Sequence, residues 1–246
     1  MRAVILAAGI GRRFAHPLPK VLLSFGGETL LARHLRILDH CGIERVDMCV
    51  GYRAEDITAE LARLGAAGRV RLHHNPDFAQ GSIVSLWTVG SVLTAGDTVV
   101  FMDGDVLYDH RLLQRLIAAA PANCFLMDRN LRPGDEPVRL CLRDGRLVDI
   151  RKRPKVAHDE AGEWIGFARF TPETAARIAA AAAGRVEAGR RDEVYEEAFC
   201  DVLVADTTGS FGIEDVTGLP WIEIDFADDL ETAERDVYPR LTALPR

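Results

Sequence analysis

Residues 2–14 read Arg2-Ala3-Val4-Ile5-Leu6-Ala7-Ala8-Gly9-Ile10-Gly11-Arg12-Arg13-Phe14, and after a polar gap come Leu18-Pro19-Lys20. Ala3 to Leu6 is a short apolar run closed by small residues and glycine, the pattern of a strand buried in a parallel sheet. Gly9 and Gly11 let the backbone pass close to a ligand and turn successive N–H groups toward it, which suits a phosphate chain. Arg12, Arg13 and Lys20 bring positive charge to that loop, and guanidinium and ammonium groups are the usual phosphate partners. The glycine spacing alone fits an ordinary strand-to-loop turn equally well. Arg13 and Pro19-Lys20 shift the balance to a grip on a nucleotide polyphosphate.

Two familiar glycine motifs do not fit. A dinucleotide fingerprint needs a third glycine where Phe14 stands and an acid ending the second strand, where the chain reads Val50-Gly51-Tyr52. A P-loop needs Gly-Lys-Ser/Thr, a string that does not occur.

Outward from this loop, strand and helix signals alternate. Glu28 to Cys41 carries Leu30, Leu31, His34, Leu35 and Leu38 at helical spacing and ends at Gly42. Glu44–Val50 reads as a strand, Ala54–Leu64 as a helix, Val70–His74 as a strand, Ser82–Leu93 as a helix and Thr98–Met102 as a strand. Asp109 caps a further helix reaching Ala120. Such alternation predicts a parallel sheet covered on both faces. Beyond Pro121 the rhythm changes to strands at Cys124–Asp128, Val138–Leu142, Arg146–Ile150 and Trp164–Phe170, with Asp144-Gly145 as a hairpin turn. Thr171-Pro172-Glu173 opens an alanine-rich helix. A helix over about Asp192–Val204, short strands at Ile213–Asp215 and Ile222–Asp225, and a closing helix over Asp228–Val237 complete the reading. With no linker or repeat, one domain is expected over 1–246, its nucleotide half about 1–120 and its acceptor half about 121–246.

At 246 residues and 48% apolar composition the chain can bury a large core, and a formal charge of −7 argues against a nucleic-acid binder. Cys41, Cys49, Cys124, Cys141 and Cys200 lack any CxxC or zinc spacing and read as reduced core residues. There is no signal-peptide pattern, and no apolar run approaches the roughly 20 residues that cross a bilayer. The expectation is a cytoplasmic protein without membrane insertion.

Ligands of open α/β sheets bind beyond the carboxyl ends of the strands, where Asp103-Gly104-Asp105 follows Val99–Met102. Magnesium takes a few carboxylate oxygens and leaves the rest of its shell to water and phosphate. Asp105 is therefore a candidate ligand with Asp103 in support, and Asp109 is better placed for capping. Asp225, at the end of Trp221-Ile222-Glu223-Ile224-Asp225, is the second candidate, Asp228 being free to cap the helix that follows.

Leu6-Ala7-Ala8-Gly9-x-Gly11-x-Arg13 with Pro19-Lys20 resembles the signature of the nucleotidyltransferase superfamily, which makes activated sugars and alcohols from nucleoside triphosphates. Asn75-x-x-Phe78-x-x-Gly81-Ser82, Asp103-x-Asp105, Asp149–Lys152, Trp164–Phe167 and Trp221–Asp225 narrow the resemblance to the CTP:phosphocholine and CTP:phosphonate cytidylyltransferases. It covers most of the chain, with looser matches past residue 130. It implies a Rossmann-like three-layer α/β/α fold with a mixed, mostly parallel sheet and a C-terminal region of β-hairpin and helices for the acceptor. It implies that Leu6, Ala7, Ala8, Gly9 and Gly11 wrap the triphosphate and that Arg13 and Lys20 neutralise departing pyrophosphate. It further implies that Asp105 and Asp225 hold Mg2+, that Gly81 and Ser82 lie by the cytosine with Asp103 near the nucleotide, and that Lys152 meets the acceptor's phosphate or phosphonate.

For the acceptor end, a cationic head group is recognised by aromatic faces and carboxylates. Trp164, Trp87, Trp221 and Tyr195 with Glu193, Glu196, Glu197 and Asp201 offer both, although each alone is equally a core aromatic or a solvated acid. Trp164 and Glu196 are the chosen pair. Arg151-Lys152-Arg153-Pro154-Lys155 is a basic run that reads as a flap over phosphate or as a solvated hairpin end. The expected partners are CTP and a small phospho-alcohol or phosphonate, with room for a homodimer. Sugar-1-phosphate nucleotidyltransferases, glycosyltransferases with Asp-x-Asp, and a non-enzymatic nucleotide sensor are the alternatives.

Overall fold

The computed structural model describes residues 1–11, 13, 17–132, 134 and 136–244; Arg12 and Phe14 lie outside the described residues. In chain order the first elements are β1 (Arg2–Ala7), β2 (Ser24–Phe25), β3 (Glu28–Thr29), α1 (Leu30–His40), β4 (Arg45–Val50), α2 (Ala54–Arg63) and β5 (Val70–His74). Next come α3 (Ser82–Thr88), α4 (Gly90–Leu93), β6 (Val99–Asp103), β7 (Val106–Tyr108), α5 (His110–Ala118) and β8 (Asn123–Asp128). The last are β9 (Arg139–Arg143), β10 (Arg146–Arg151), β11 (Glu160–Phe170), α6 (Pro172–Glu187), α7 (Glu196–Val204), β12 (Phe211–Asp215), β13 (Trp221–Glu223) and α8 (Ala227–Thr232).

Strand β1 runs parallel between β4 and β6, with β5 parallel beyond β4. Strand β11 is antiparallel and joins the halves: Phe167–Phe170 pairs with β6, Glu160–Glu163 with β9, and β8 lies along both parts. The fold is a mixed, mostly parallel Rossmann-like α/β sheet with helices on both faces. Side-chain alternation along the strands makes the layers. Val4, Val99 and Phe101 face a core built with α3, α4, α6 and α7, whereas Ala3, Ile5, Val100 and Met102 face one built with α1, α2 and α5. No helix among the described residues is long and apolar enough to cross a membrane. The five cysteines are free, four of them buried.

Local chemistry sets the element ends. The Thr29 hydroxyl accepts the Ala32 N–H at 3.1 Å to cap α1, and Thr171 does the same for α6 with Pro172 in the first turn. Asp144 and Gly145 both take positive φ (51° and 72°), as a two-residue turn matched to hairpin twist requires. The Asp109 carboxylate caps α5 through Arg111 N at 3.0 Å and also accepts the backbone and hydroxyl of Thr242, each at 2.8 Å. Burial alone would raise its pKa, but Arg111 and these donors hold it below the usual carboxylate range. Its contribution is therefore complete above the unfolded carboxylate pKa, near about 3.9, and lost as pH falls through the depressed folded value. Asp109→Ala is expected to cost about 1–2 kcal/mol at neutral pH, read from the urea midpoint. A midpoint equal to wild type would mean that the tail and cap contribute nothing.

Four expectations are corrected. The predicted Ser82–Leu93 helix is two helices, interrupted at Val89 (φ −93°, ψ 11°); Thr88 bonds back to Val84 O at 2.8 Å and Gly90 follows, both weakening continuation. The helix placed over Asp192–Val204 starts at Glu196. The carbonyls of Arg191 and Glu193 are engaged by Gly81 N at 2.8 Å and Ile83 N at 3.1 Å instead. The strand expected to reach Asp225 stops at Glu223, and its partner β7 carries no long local pattern. The closing helix begins at Ala227 and widens to a π-type turn over Ala233–Val237.

Candidate active site

The site sits at the carboxyl ends of β1 and β6. Gly104 N donates to Leu6 O at 2.9 Å, and a Cβ on Gly104 would stand 2.9 Å from that same oxygen, so only glycine lets the Asp103–Asp105 turn lie against β1. From behind, buried His34 meets Gly104 O through Nε2 at 3.0 Å. Ile224 N then donates to Asp105 O at 3.1 Å, bringing the end of β13 alongside.

These contacts gather three carboxylates. Oxygens of Asp105, Glu223 and Asp225 lie within 4.8 Å of one another. Lys20 Nζ stands 3.0 Å from Asp105 Oδ2 and 2.7 Å from Asp225 Oδ1. Burial alone would lower the Lys20 pKa, but the two carboxylates outweigh it and raise it above the ordinary value. Burial likewise opposes ionisation of Asp225, yet the Lys20 charge keeps its pKa below the usual range. Glu223 is pushed up to about 8, by burial first and then by Asp105 and Asp225. Three oxygen donors so close that one resists ionisation are the chemistry a hard divalent cation relieves, so the residues fit Mg2+. Glu223 was not foreseen as a ligand. Its signal was the Glu223-x-Asp225 spacing, which places both side chains on one face of an extended segment.

Arg13 reaches across the mouth to the Glu136 carboxylate, comes within 4.0 Å of Asp225 Oδ2, and holds its guanidinium 5.2 Å from the Phe226 ring centroid. Lys152 Nζ binds the same Glu136 Oε2 at 2.9 Å. Side-chain bonds from Lys152 and Arg13 bring Glu136 down to about 2. One unpredicted acid thus collects the cation assigned to the nucleotide and the cation assigned to the acceptor.

Between these clusters lies a cavity of about 390 Å³ to which Leu6, Ala8, Gly9, Gly11, Gly81 and Ser82 contribute; Ala7 lines a smaller pocket beside it. Gly81 also has a packing reason: a Cβ there would stand 2.1 Å from Glu193 O. Ser82 Oγ accepts Tyr195 N at 3.0 Å, and the Tyr195 hydroxyl donates to Asp103 Oδ2 at 2.6 Å. Burial, then Asp105 and Glu223, raises the Asp103 pKa well above the carboxylate range. Trp164 borders the cavity but is 3% exposed, its Nε1 donating to Phe167 O at 2.9 Å and its ring packed against Phe101, Phe125 and Phe199. Glu196 opens α7 and lines the same cavity. Trp87 and Trp221 lie outside the residues that line this cavity. In the basic run, Asp149 accepts Lys155 N at 2.7 Å and Arg151 Nη1 at 2.5 Å, folding the segment back behind Lys152.

A glycine loop with cations, facing a carboxylate trio across one cavity, defines an enzyme that transfers nucleotidyl groups. The MobA-like NTP transferase domain matches residues 3–165, and the chain belongs to that family. Over 246 residues the chain is 30% identical to the CMP-5'-(3-aminopropyl)phosphonate synthase of Streptomyces rubellomurinus, covering 95% of this chain and 38% of that protein. It is 32% identical over 117 residues to the 2-aminoethylphosphonate cytidylyltransferase of Lancefieldella rimae, covering 46% of each. The matched segments thus span less than half the length of either relative. The CTP:phosphocholine cytidylyltransferase of Streptococcus pneumoniae shares the fold at a TM-score of 0.70 and 21% identity, with 95% of this chain and 97% of that one covered.

Proposed function

We propose that residues 1–246 act as one nucleotidyltransferase domain that transfers the cytidylyl group of CTP to a small phosphonate or phosphorylated alcohol, releasing pyrophosphate. The observation that carries this reading is the seat of Lys20 between Asp105 and Asp225, in a cavity whose mouth holds Arg13 and Lys152 on Glu136. Charge for a triphosphate and for a second anion therefore converges on one space. The relatives' names, one a CMP-phosphonate synthase and one a phosphonate cytidylyltransferase, support the base and the acceptor class.

An anionic acceptor oxygen attacks the α-phosphorus in line, forming the new P–O bond as the bond to the β-phosphate oxygen breaks. The nucleophile arrives ionised, so no general base is required, and the work is positioning and charge neutralisation. Lys20, held by Asp105 and Asp225, and Arg13 meet the growing charge on pyrophosphate. Lys152 orients the acceptor anion. Gly9 and Gly11 give the backbone close approach to the triphosphate, and Gly81, Ser82 and Asp103 border the nucleotide. Asp105, Glu223 and Asp225 would hold Mg2+, which supplies Lewis-acid polarisation of a phosphoryl oxygen when bound. The reading keeps nucleic acid and membrane insertion out of the partner set, expects a cytoplasmic setting, and leaves room for a homodimer.

Pyrophosphate release, crossing CTP, UTP, GTP and ATP against phosphocholine, 2-aminoethylphosphonate, inositol-1-phosphate and glucose-1-phosphate, tests this. A CTP signal with a phosphonate or phospho-alcohol is expected. Activity confined to a sugar phosphate and another nucleotide would overturn it.

A further inference from the structure

His34 stands on the buried face of α1 with Leu30, Leu31, Leu35 and Leu38, and it is wholly out of solvent. A leucine there would simply continue the apolar face. The imidazole instead leaves Nδ1 without a partner among the described residues, which is costly away from water. Burial pushes the ring's pKa down to about 4, so it is neutral near pH 7. Gly104 O can only accept, so Nε2 carries the ring proton and donates it across 3.0 Å.

That bond acts on the backbone beside a carboxylate of the trio. Gly104 is a glycine because of its approach to Leu6 O, and a glycine turns its flanking peptides more freely than other residues. Gly104 N is tied to Leu6 O, and Asp105 O to Ile224 N. The carbonyl between these two anchors is Gly104 O, which His34 holds from α1. The ring is itself fixed, stacked on Tyr108 with centroids 5.5 Å apart, and Tyr108 meets Phe167 edge-on at 4.6 Å. Arg33, the preceding residue, donates Nε and Nη2 to Tyr108 O at 3.3 and 3.0 Å. Tyr108 and Val106 are the β7 residues paired with Trp221 and Glu223 of β13. Two successive residues of α1 thus grip the turn that carries Asp105 and the strand that seats Glu223.

Resting on the cytidylyl-transfer reading for its metal, we propose that His34 is a positioning residue of the divalent-cation site. Its Nε2–H fixes the Gly104–Asp105 peptide in the orientation that keeps Asp105 converged with Glu223 and Asp225.

His34→Leu and His34→Met remove the donor and fill the apolar face, whereas His34→Gln keeps an amide N–H at similar reach. Each is compared with the wild type by urea unfolding in chelator, by Mn2+ uptake without substrates, read as loss of the free-ion EPR signal, and by the magnesium concentration that half-saturates pyrophosphate release. The donor-free variants are expected to unfold at or above the wild-type urea midpoint. Their Mn2+ dissociation constant and half-saturating magnesium should both rise by about 10- to 100-fold, the scale of groups that orient metal ligands. His34→Gln should recover most of that loss. Wild-type Mn2+ affinity in a folded donor-free variant overturns the proposal, and so does His34→Gln as weak as His34→Leu. If neither donor-free variant folds, His34 serves the fold rather than the metal site, which also overturns it, as does a wild type that takes up no Mn2+. Absence of pyrophosphate with every acceptor defeats the reaction reading alone, and the Mn2+ constants still decide the role of His34.

Discussion

Lys20→Ala is expected to lower pyrophosphate release by on the order of 10²–10³, with the protein still folded and still binding nucleotide. Lys20 is the one described cation within reach of both Asp105 and Asp225, at 3.0 and 2.7 Å, and its side chain is only 15% exposed. Its ammonium is therefore already desolvated where charge must develop, and there a fixed positive group is worth more than in water. The fold survives because Val21 and Leu22, not Lys20, bury the apolar surface of this turn. Without Lys20 the three carboxylates lose their nearest counter-charge, so the variant should melt earlier in chelator and recover when magnesium is added. Single-turnover kinetics with circular dichroism in parallel separates these effects. Wild-type turnover in a folded Lys20→Ala protein would remove Lys20 from the reaction.

Asp225→Asn should be comparably damaging, for a different reason. It removes one of the three clustered carboxylates and the closer of the two partners of Lys20. Weakened metal retention and a released Lys20 act together, and a loss of at least about 10² in turnover at fixed magnesium is expected. Part of it returns as magnesium is raised, because a weaker site fills at higher concentration. Turnover measured against magnesium concentration distinguishes the two contributions. A curve superimposed on the wild type would show that Asp225 holds neither the metal nor Lys20 in the working enzyme.

Much of this site was legible because its signals are local. The Ala3–Leu6 run, the Gly9/Gly11 loop and Asp103-Gly104-Asp105 each lie within a few residues, and strand periodicity placed them at the same edge of the sheet. Asp144-Gly145 was legible for the same reason. Glu223 escaped because its role depends on β13 pairing with β7, more than a hundred residues earlier, and β7 is only three residues long. Glu136 escaped because nothing near it in sequence announces Arg13, 123 residues away. Tyr195 was read as an aromatic face, whereas its hydroxyl is given to Asp103, 92 residues away. Gly81 was read through a ligand, but the backbone of Asp192–Glu193 already leaves no room for a side chain there. These are contacts of the tertiary fold, and apart from the Glu223-x-Asp225 spacing local sequence carries no trace of them.

The central claim is that the acceptor's oxygen becomes bonded to the α-phosphorus of CTP. It is tested most directly by 31P NMR of a reaction holding CTP, magnesium and 2-aminoethylphosphonate. The account predicts a mutually coupled phosphonate–phosphate pair appearing in step with free pyrophosphate. An unchanged phosphonate resonance beside accumulating CMP or CDP would contradict it.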